Sequence, residues 1–87
     1  MTYTKYVIFD KISNKYVLLT DTSSYFRLVE LNTILFGCTQ IGGYFVSVSH
    51  AKHEMENCNS IIRRRKLNVD LEVHEISISI NEHSLSL

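Results

Sequence analysis

An α+β fold, a small antiparallel sheet packed against one main helix at about 49–66, is what the sequence predicts. Three observations point to it. Two segments rich in aromatic and β-branched residues, Tyr3 to Phe9 and Lys15 to Thr20, flank a polar turn. Apolar residues recur at helical spacing between Ser49 and Lys66. Two alternating apolar triplets then close the pattern, Val69, Leu71, Val73 and Ile76, Ile78, Ile80. With 87 residues, 45% of them hydrophobic, the chain has surface for one core, so residues 1–81 are assigned to a single domain and 82–87 to a frayed tail.

The first two segments make a β-hairpin, because Asp10-Lys11-Ile12-Ser13-Asn14 between them is turn-forming. Their continuous apolar runs, Val7-Ile8-Phe9 and Tyr16-Val17-Leu18-Leu19, imply a sheet covered on both faces in part. Asp21-Thr22-Ser23-Ser24 is a polar break able to cap a helix. Residues 25–36 read as strand by the propensity of Tyr25, Phe26, Val29, Thr33, Ile34 and Phe36, although Leu28, Leu31 and Leu35 are spaced for a helix face.

Gly37 and Gly42-Gly43 punctuate the chain. Tyr44 to Val48 then alternates as a strand would, with Tyr44, Val46 and Val48 on one side and Phe45 and Ser47 on the other. In the helix that follows, Ser49 is the expected N-cap, and Ala51, Met55, Cys58 and Ile62 form a stripe that Ile61 widens. Lys52, His53, Glu56, Asn57, Ser60, Arg63 and Arg64 fall on the other side. The closing triplets have opposite parity, so a bulge or a crossing between sheets is expected at His74-Glu75, the alternative being a second apolar surface. Ser77 and Ser79 should face solvent.

Nine basic and nine acidic residues give a formal net charge of zero, which supplies no general attraction to nucleic acid or anionic membrane and weakens repulsion between copies. No apolar run approaches the roughly 20 residues of a transmembrane helix. Two cysteines, Cys38 and Cys58, do not make a disulfide scaffold, and no secretion signal opens the chain, so a cytoplasmic protein is expected.

The one concentration of chemistry is Arg63-Arg64-Arg65-Lys66, which holds three of the four arginines. Guanidinium groups grip phosphates and carboxylates, but cations in a last helical turn are also ordinary helix-dipole chemistry, worth about 0.3–1 kcal/mol each. At roughly 100° per residue the three arginines splay around the helix. Arg65 falls seven residues after Cys58, close to the apolar stripe, so it must snorkel, end the helix or enter an interface. The surplus of aromatics suggests exposed tyrosines, with Tyr25 and Tyr44 as candidates beside Arg63, Arg64, Arg65 and Lys66 for contact with a partner or a nucleic acid.

His50, His53, Cys58, Cys38 and His74 are of metal-ligand type, but no CxxC or HExxH spacing gathers them, and no metal or other cofactor is expected. Nor is there a G-x-S-x-G, a phosphate-cradling glycine loop or a carboxylate pair on one helix face, since Glu54 and Glu56 are two residues apart. No catalytic residue is assigned, and an enzyme is not expected.

The hairpin KYVIFDKISNKYV, the strand and helix FVSVSHAKHEM and the terminal strand LEVHEISISI together resemble small accessory proteins encoded by bacteriophages. That resemblance implies a non-enzymatic protein that binds and modulates or inhibits a host enzyme, a defence complex or its nucleic-acid component. A homodimer is expected from the edges and apolar surface that so small a sheet leaves open. The alternative is an RNA- or DNA-binding regulator that uses the run from Arg63 to Lys66.

Overall fold

The computed structural model describes residues 2–20, 25–36 and 43–79. Its elements are β1 (Thr2–Asp10), β2 (Lys15–Leu19), β3 (Phe26–Val29), α1 (Leu31–Phe36), α2 (Val48–Arg65) and β4 (Leu71–Ser79). The strands form one antiparallel sheet in the order β3-β2-β1-β4. The expected α+β architecture is therefore the one found, with α2 as its main helix.

The turn between β1 and β2 is built by Asp10. Its carbonyl accepts from the Asn14 N–H at 2.9 Å, and Asn14 takes φ 59°, a left-handed conformation that asparagine tolerates. Its carboxylate is only 1% exposed. It accepts from the Ile12 N–H at 3.2 Å, the Ser13 N–H at 3.0 Å and the Ser13 hydroxyl at 2.6 Å. The fourth donor is the Asp70 N–H at 2.9 Å, sixty residues along the chain. The Lys11 N–H donates to the Asp70 carbonyl at 2.9 Å, so the turn is tied to the start of β4.

β1 and β4 pair without interruption from Thr2↔Ser79 to Asp10↔Leu71. The bulge or crossing expected at His74-Glu75 is absent, because both faces of the strand are put to use. Leu71 and Val73 pack with Ile8 and Val17 against Ala51, Cys58 and Ile61 of α2. Ile76 packs on the opposite face with Val7, Val29 and Ile34. The second apolar surface is real, and α1 helps to cover it. Ser77 is exposed, as expected.

β1 and β2 pair only at Phe9↔Tyr16 and Asp10↔Lys15. Beyond these pairs Phe45 takes the edge of β1: the Tyr6 N–H donates to the Phe45 carbonyl at 2.9 Å and the Phe45 N–H to the Tyr6 carbonyl at 2.8 Å. Residues 44–48 are thus a single bridge and not the expected strand. Val46 is 71% exposed whereas Phe45 is 5% exposed. The helix also starts earlier than expected, at Val48, and Ser47 rather than Ser49 caps it. Ser47 is extended, with φ −136°, and its hydroxyl accepts from the His50 N–H at 3.2 Å. Ser49 lies inside the first turn.

Residues 25–36 also need correction, since only Phe26–Val29 is strand and Leu31–Phe36 is helix. The Thr33 N–H donates to the Glu30 carbonyl at 3.0 Å, folding the chain back. That reversal buries Ile34 completely among Val7 and Val29, a gain that a continued edge strand could not make. Gly43 runs close over the same cluster. A Cβ there would lie 3.2 Å from Ile34 Cγ2 and 3.4 Å from Leu18 Cδ1.

The stripe of α2 is as expected, with Ala51, Cys58 and Ile61 buried and Met55 and Ile62 packed beside them. Lys52, His53, Glu56, Asn57, Ser60, Arg63 and Arg64 are exposed. The first turn holds no acidic residue, so dipole complementarity operates at the basic end alone. Lys66 closes the helix in the left-handed region, φ 54°, and the Leu67 N–H returns to the Ile62 carbonyl at 3.1 Å. The expected cap at Asp21 to Ser24, Gly37, Cys38, Gly42, Ile80 and the tail lie outside the described residues.

Burial opposes the charged form of Asp10, but the hydrogen bonds from Ser13, Asp70 and Ile12 together outweigh it and hold its carboxyl below the ordinary value of 3.8. A lowered native pKa contributes stability that is complete above the unfolded value and is lost as pH falls through the native one. Asp10→Asn, which keeps the shape but removes one acceptor oxygen, should cost about 2–3 kcal/mol at pH 7 by urea denaturation. The gap to wild type should narrow below about pH 4. A gap that does not change with pH would show that the charge of Asp10 is not what holds the turn.

Candidate functional site

The arginine-ended helix and the first aromatic of the β3 segment meet. Arg65, the last residue of α2, places its guanidinium carbon 4.9 Å from the centre of the Tyr25 ring. Tyr25 is 42% exposed and lies nearly parallel to Phe26, with ring centres 6.1 Å apart. Because Arg65 is where the helix stops, it neither continues the apolar stripe nor hangs free. It covers one face of an exposed tyrosine, a contact worth about 0.5–1 kcal/mol at such a site.

Beside this pair is a groove of about 340 Å³, lined by Tyr25, Phe26, Arg27, Leu28, Leu67 and Val69. Local sequence explains its walls. Phe26 and Leu28 alternate toward the core while Tyr25 and Arg27 take the opposite parity. The left-handed turn at Lys66 reverses the chain and sends Leu67 back onto the core, and Val69 beyond it lines the groove. β3 is the terminal strand on this side of the sheet, so the groove runs along an open edge. Arg27 lines the groove from β3, and Arg63, Arg64 and Arg65 form the last turn of α2, whose end reaches Tyr25, so all four arginines lie on β3 or at this end of α2. Arg63, Arg64 and Lys66 are exposed and have no acidic partner among the described residues.

Tyr44 is not part of this arrangement. It packs on the other face of the sheet with Val7, Val29 and Ile34, and Lys5 Nζ lies 5.6 Å from its ring centre. Arg27, Leu67 and Val69 were not among the residues expected from sequence. The parity that Arg27 shares with Tyr25 was an available signal; nothing local marks Leu67, and Val69, expected on a strand face with Leu71 and Val73, lies ahead of β4.

No family model, curated protein or solved structure matches this chain. Its chemistry has to be read from its own side chains. Among the described residues, no helix is long and apolar enough to cross a membrane. The metal-ligand types are dispersed. His50 sits edge-on to Phe45 at 4.9 Å and 3.9 Å from Glu54, His53 is exposed, and His74 stacks on Phe9 at 4.4 Å with Nε2 2.6 Å from Glu72 Oε1. Among the described residues, no three histidine, cysteine, aspartate or glutamate side chains gather.

Cys58 is fully buried, and burial, with a smaller contribution from Glu54, pushes its thiol up to about 11. It is a neutral core side chain at physiological pH. In a Cys38→Ser background, Cys58 should resist a soluble disulfide reagent at pH 8 until the protein is denatured. The raised native pKa also means that its contribution to stability is present below the unfolded value of 9.0 and disappears as pH rises toward about 11. Rapid modification of the folded protein would contradict this placement of the thiol.

Proposed function

We propose that this protein is a small non-enzymatic interaction module that binds and modulates another protein, taking an extended acidic segment of it into the groove beside β3. The observation that carries this reading is the stacking of Arg65 on Tyr25 at an apolar groove along an open strand edge. Each part has a role in such contact. Phe26, Leu28, Leu67 and Val69 offer apolar lining, and the edge of β3 offers backbone hydrogen bonds. Arg65 is preoriented by the ring beneath it, while its N–H groups stay available for a carboxylate.

Inhibition of a host enzyme or defence complex, which the likeness to phage accessory proteins implies, is one setting for such a module. A nucleic-acid reading draws on Arg63, Arg64 and Lys66, which are exposed and have no acidic partner among the described residues. It is weaker because one face of Tyr25 is already occupied by Arg65, which removes half of the aromatic platform that a base would use.

Selection from a random displayed peptide library is the direct test. Recovered sequences should combine alternating apolar residues with acidic ones, and Arg65→Ala or Tyr25→Ala should weaken their binding by roughly tenfold. Failure to recover such peptides, or equal binding by both variants, rejects the groove reading. Titration with a single-stranded oligonucleotide across a salt series examines the other reading. Binding that weakens with salt and is lost when Arg63, Arg64 and Lys66 become alanine would favour it.

A further inference from the structure

The opposite edge of the sheet is also open, and its backbone geometry is specified by contacts already described. Tyr6 uses both its N–H and its carbonyl on Phe45, so these groups point away from β4. Its partner across the β1–β4 ladder, Glu75, then points away from β1. Alternation extends the outward set to Leu71, Val73 and Ser77. The bond from the Lys11 N–H to the Asp70 carbonyl has the same phase, because residue 70 of the sequence must turn inward if 71 turns outward. These outward groups have no partner among the described residues.

Edge strands in native sheets are ordinarily blunted by charged side chains, above all lysine, by proline, by a bulge or by shortness. β4 has no lysine, proline or bulge and is not short; its charges are Glu72, held by His74 of the same strand, and Glu75. It reads LEVHEISIS, spans nine residues and keeps regular register throughout. By contrast β3 is four residues long and carries Arg27.

We propose that a second copy of this chain occupies the β4 edge, pairing antiparallel about a two-fold axis at Val73 and joining two four-stranded sheets into one. The register follows from charge. With the axis at Val73, Leu71 faces the second copy's Glu75 and Val73 faces itself, each pair exchanging both N–H···O bonds between outward groups. Glu72 and His74, 2.6 Å apart within one copy, then stand opposite the second copy's His74 and Glu72 on the face away from α2, so that carboxylates and imidazoles alternate. An axis at Glu75 would set two carboxylates against each other, which is destabilising. An axis at His74 would set two imidazoles against each other and pair Glu72, which its own His74 already contacts at 2.6 Å, with the apolar Ile76. The zero net charge of the chain adds no long-range repulsion between copies. Homodimerisation by this route is independent of the groove, which lies at the other edge.

Sedimentation over a concentration series, with amide exchange followed residue by residue, tests the proposal on the unaltered protein. A reversible dimer is expected, with protection of the Leu71, Val73 and Glu75 N–H groups rising as it forms. Glu75→Pro removes an outward donor that the single copy does not use, at an exposed position, and should weaken dimerisation roughly tenfold or more. Arg65→Ala should leave dimerisation unchanged. A protein that stays monomeric at all concentrations, including one that pairs this edge only with a different protein, overturns the proposal. So does a dimer whose β4 edge amides exchange freely. If Glu75→Pro fails to fold, the exchange pattern of the unaltered chain decides.

Discussion

The buried carboxylate of Asp10 is the constraint on which the rest of the sheet depends. It terminates β1, shapes the turn into β2 and receives the Asp70 N–H just ahead of β4. With Lys11 bonded to the Asp70 carbonyl, this junction leaves one register for the longest ladder in the molecule. A slip of one residue would turn Leu71 and Val73 away from α2 and bring Glu72 and His74 into the core. Lys11 Nζ, 3.2 Å from Asp70 Oδ2, adds a solvent-exposed ion pair of small worth to a junction that hydrogen bonds already secure.

From that register follows the two-sided use of the sheet. Ile8 and Val73 face α2, while Val7 and Ile76 face the side that α1, Gly43 and Tyr44 help to cover. The segment from Gly43 to Ser47 serves both sides in passing. Gly43 presses on Ile34, Phe45 completes the edge of β1 and enters the main core, and Ser47 caps α2. A short irregular stretch thereby positions the helix whose far end reaches Tyr25.

Much of this was legible in the sequence, where the controlling forces are local. The hairpin follows from Asp10 and Asn14 between apolar runs, and the inner face of α2 from the spacing of Ala51, Met55, Cys58 and Ile62. The misreadings share a cause. Leu31 to Phe36 has strand-favouring residues, yet folds as helix because Ile34 is needed over Val7. Tyr44 to Val48 alternates like a strand, yet its one bridge and its serine cap depend on where Tyr6 and α2 lie. The opposite parities of Val73 and Ile76 suggested a bulge when the sheet had two faces to fill. The groove was half visible: Arg65 and Tyr25 were each singled out, but a contact between residues 25 and 65 is created by the path of α2 across the sheet and leaves no local mark.

The early divergence of β1 from β2 has a consequence for how the chain reaches this structure. After two pairs with its neighbour in sequence, β1 finds its remaining partners in Phe45 and in β4. The first strand therefore waits for the last. During synthesis, Thr2 to Ile8 can form only transient pairings until residues 71–79 have emerged, and the loop to be closed costs entropy before the ladder repays it. Hairpin and helix rest on local contacts, whereas the β1–β4 pair requires the long loop between them to close. The β1–β4 ladder is accordingly the pairing with the largest loop-closure cost in this sheet.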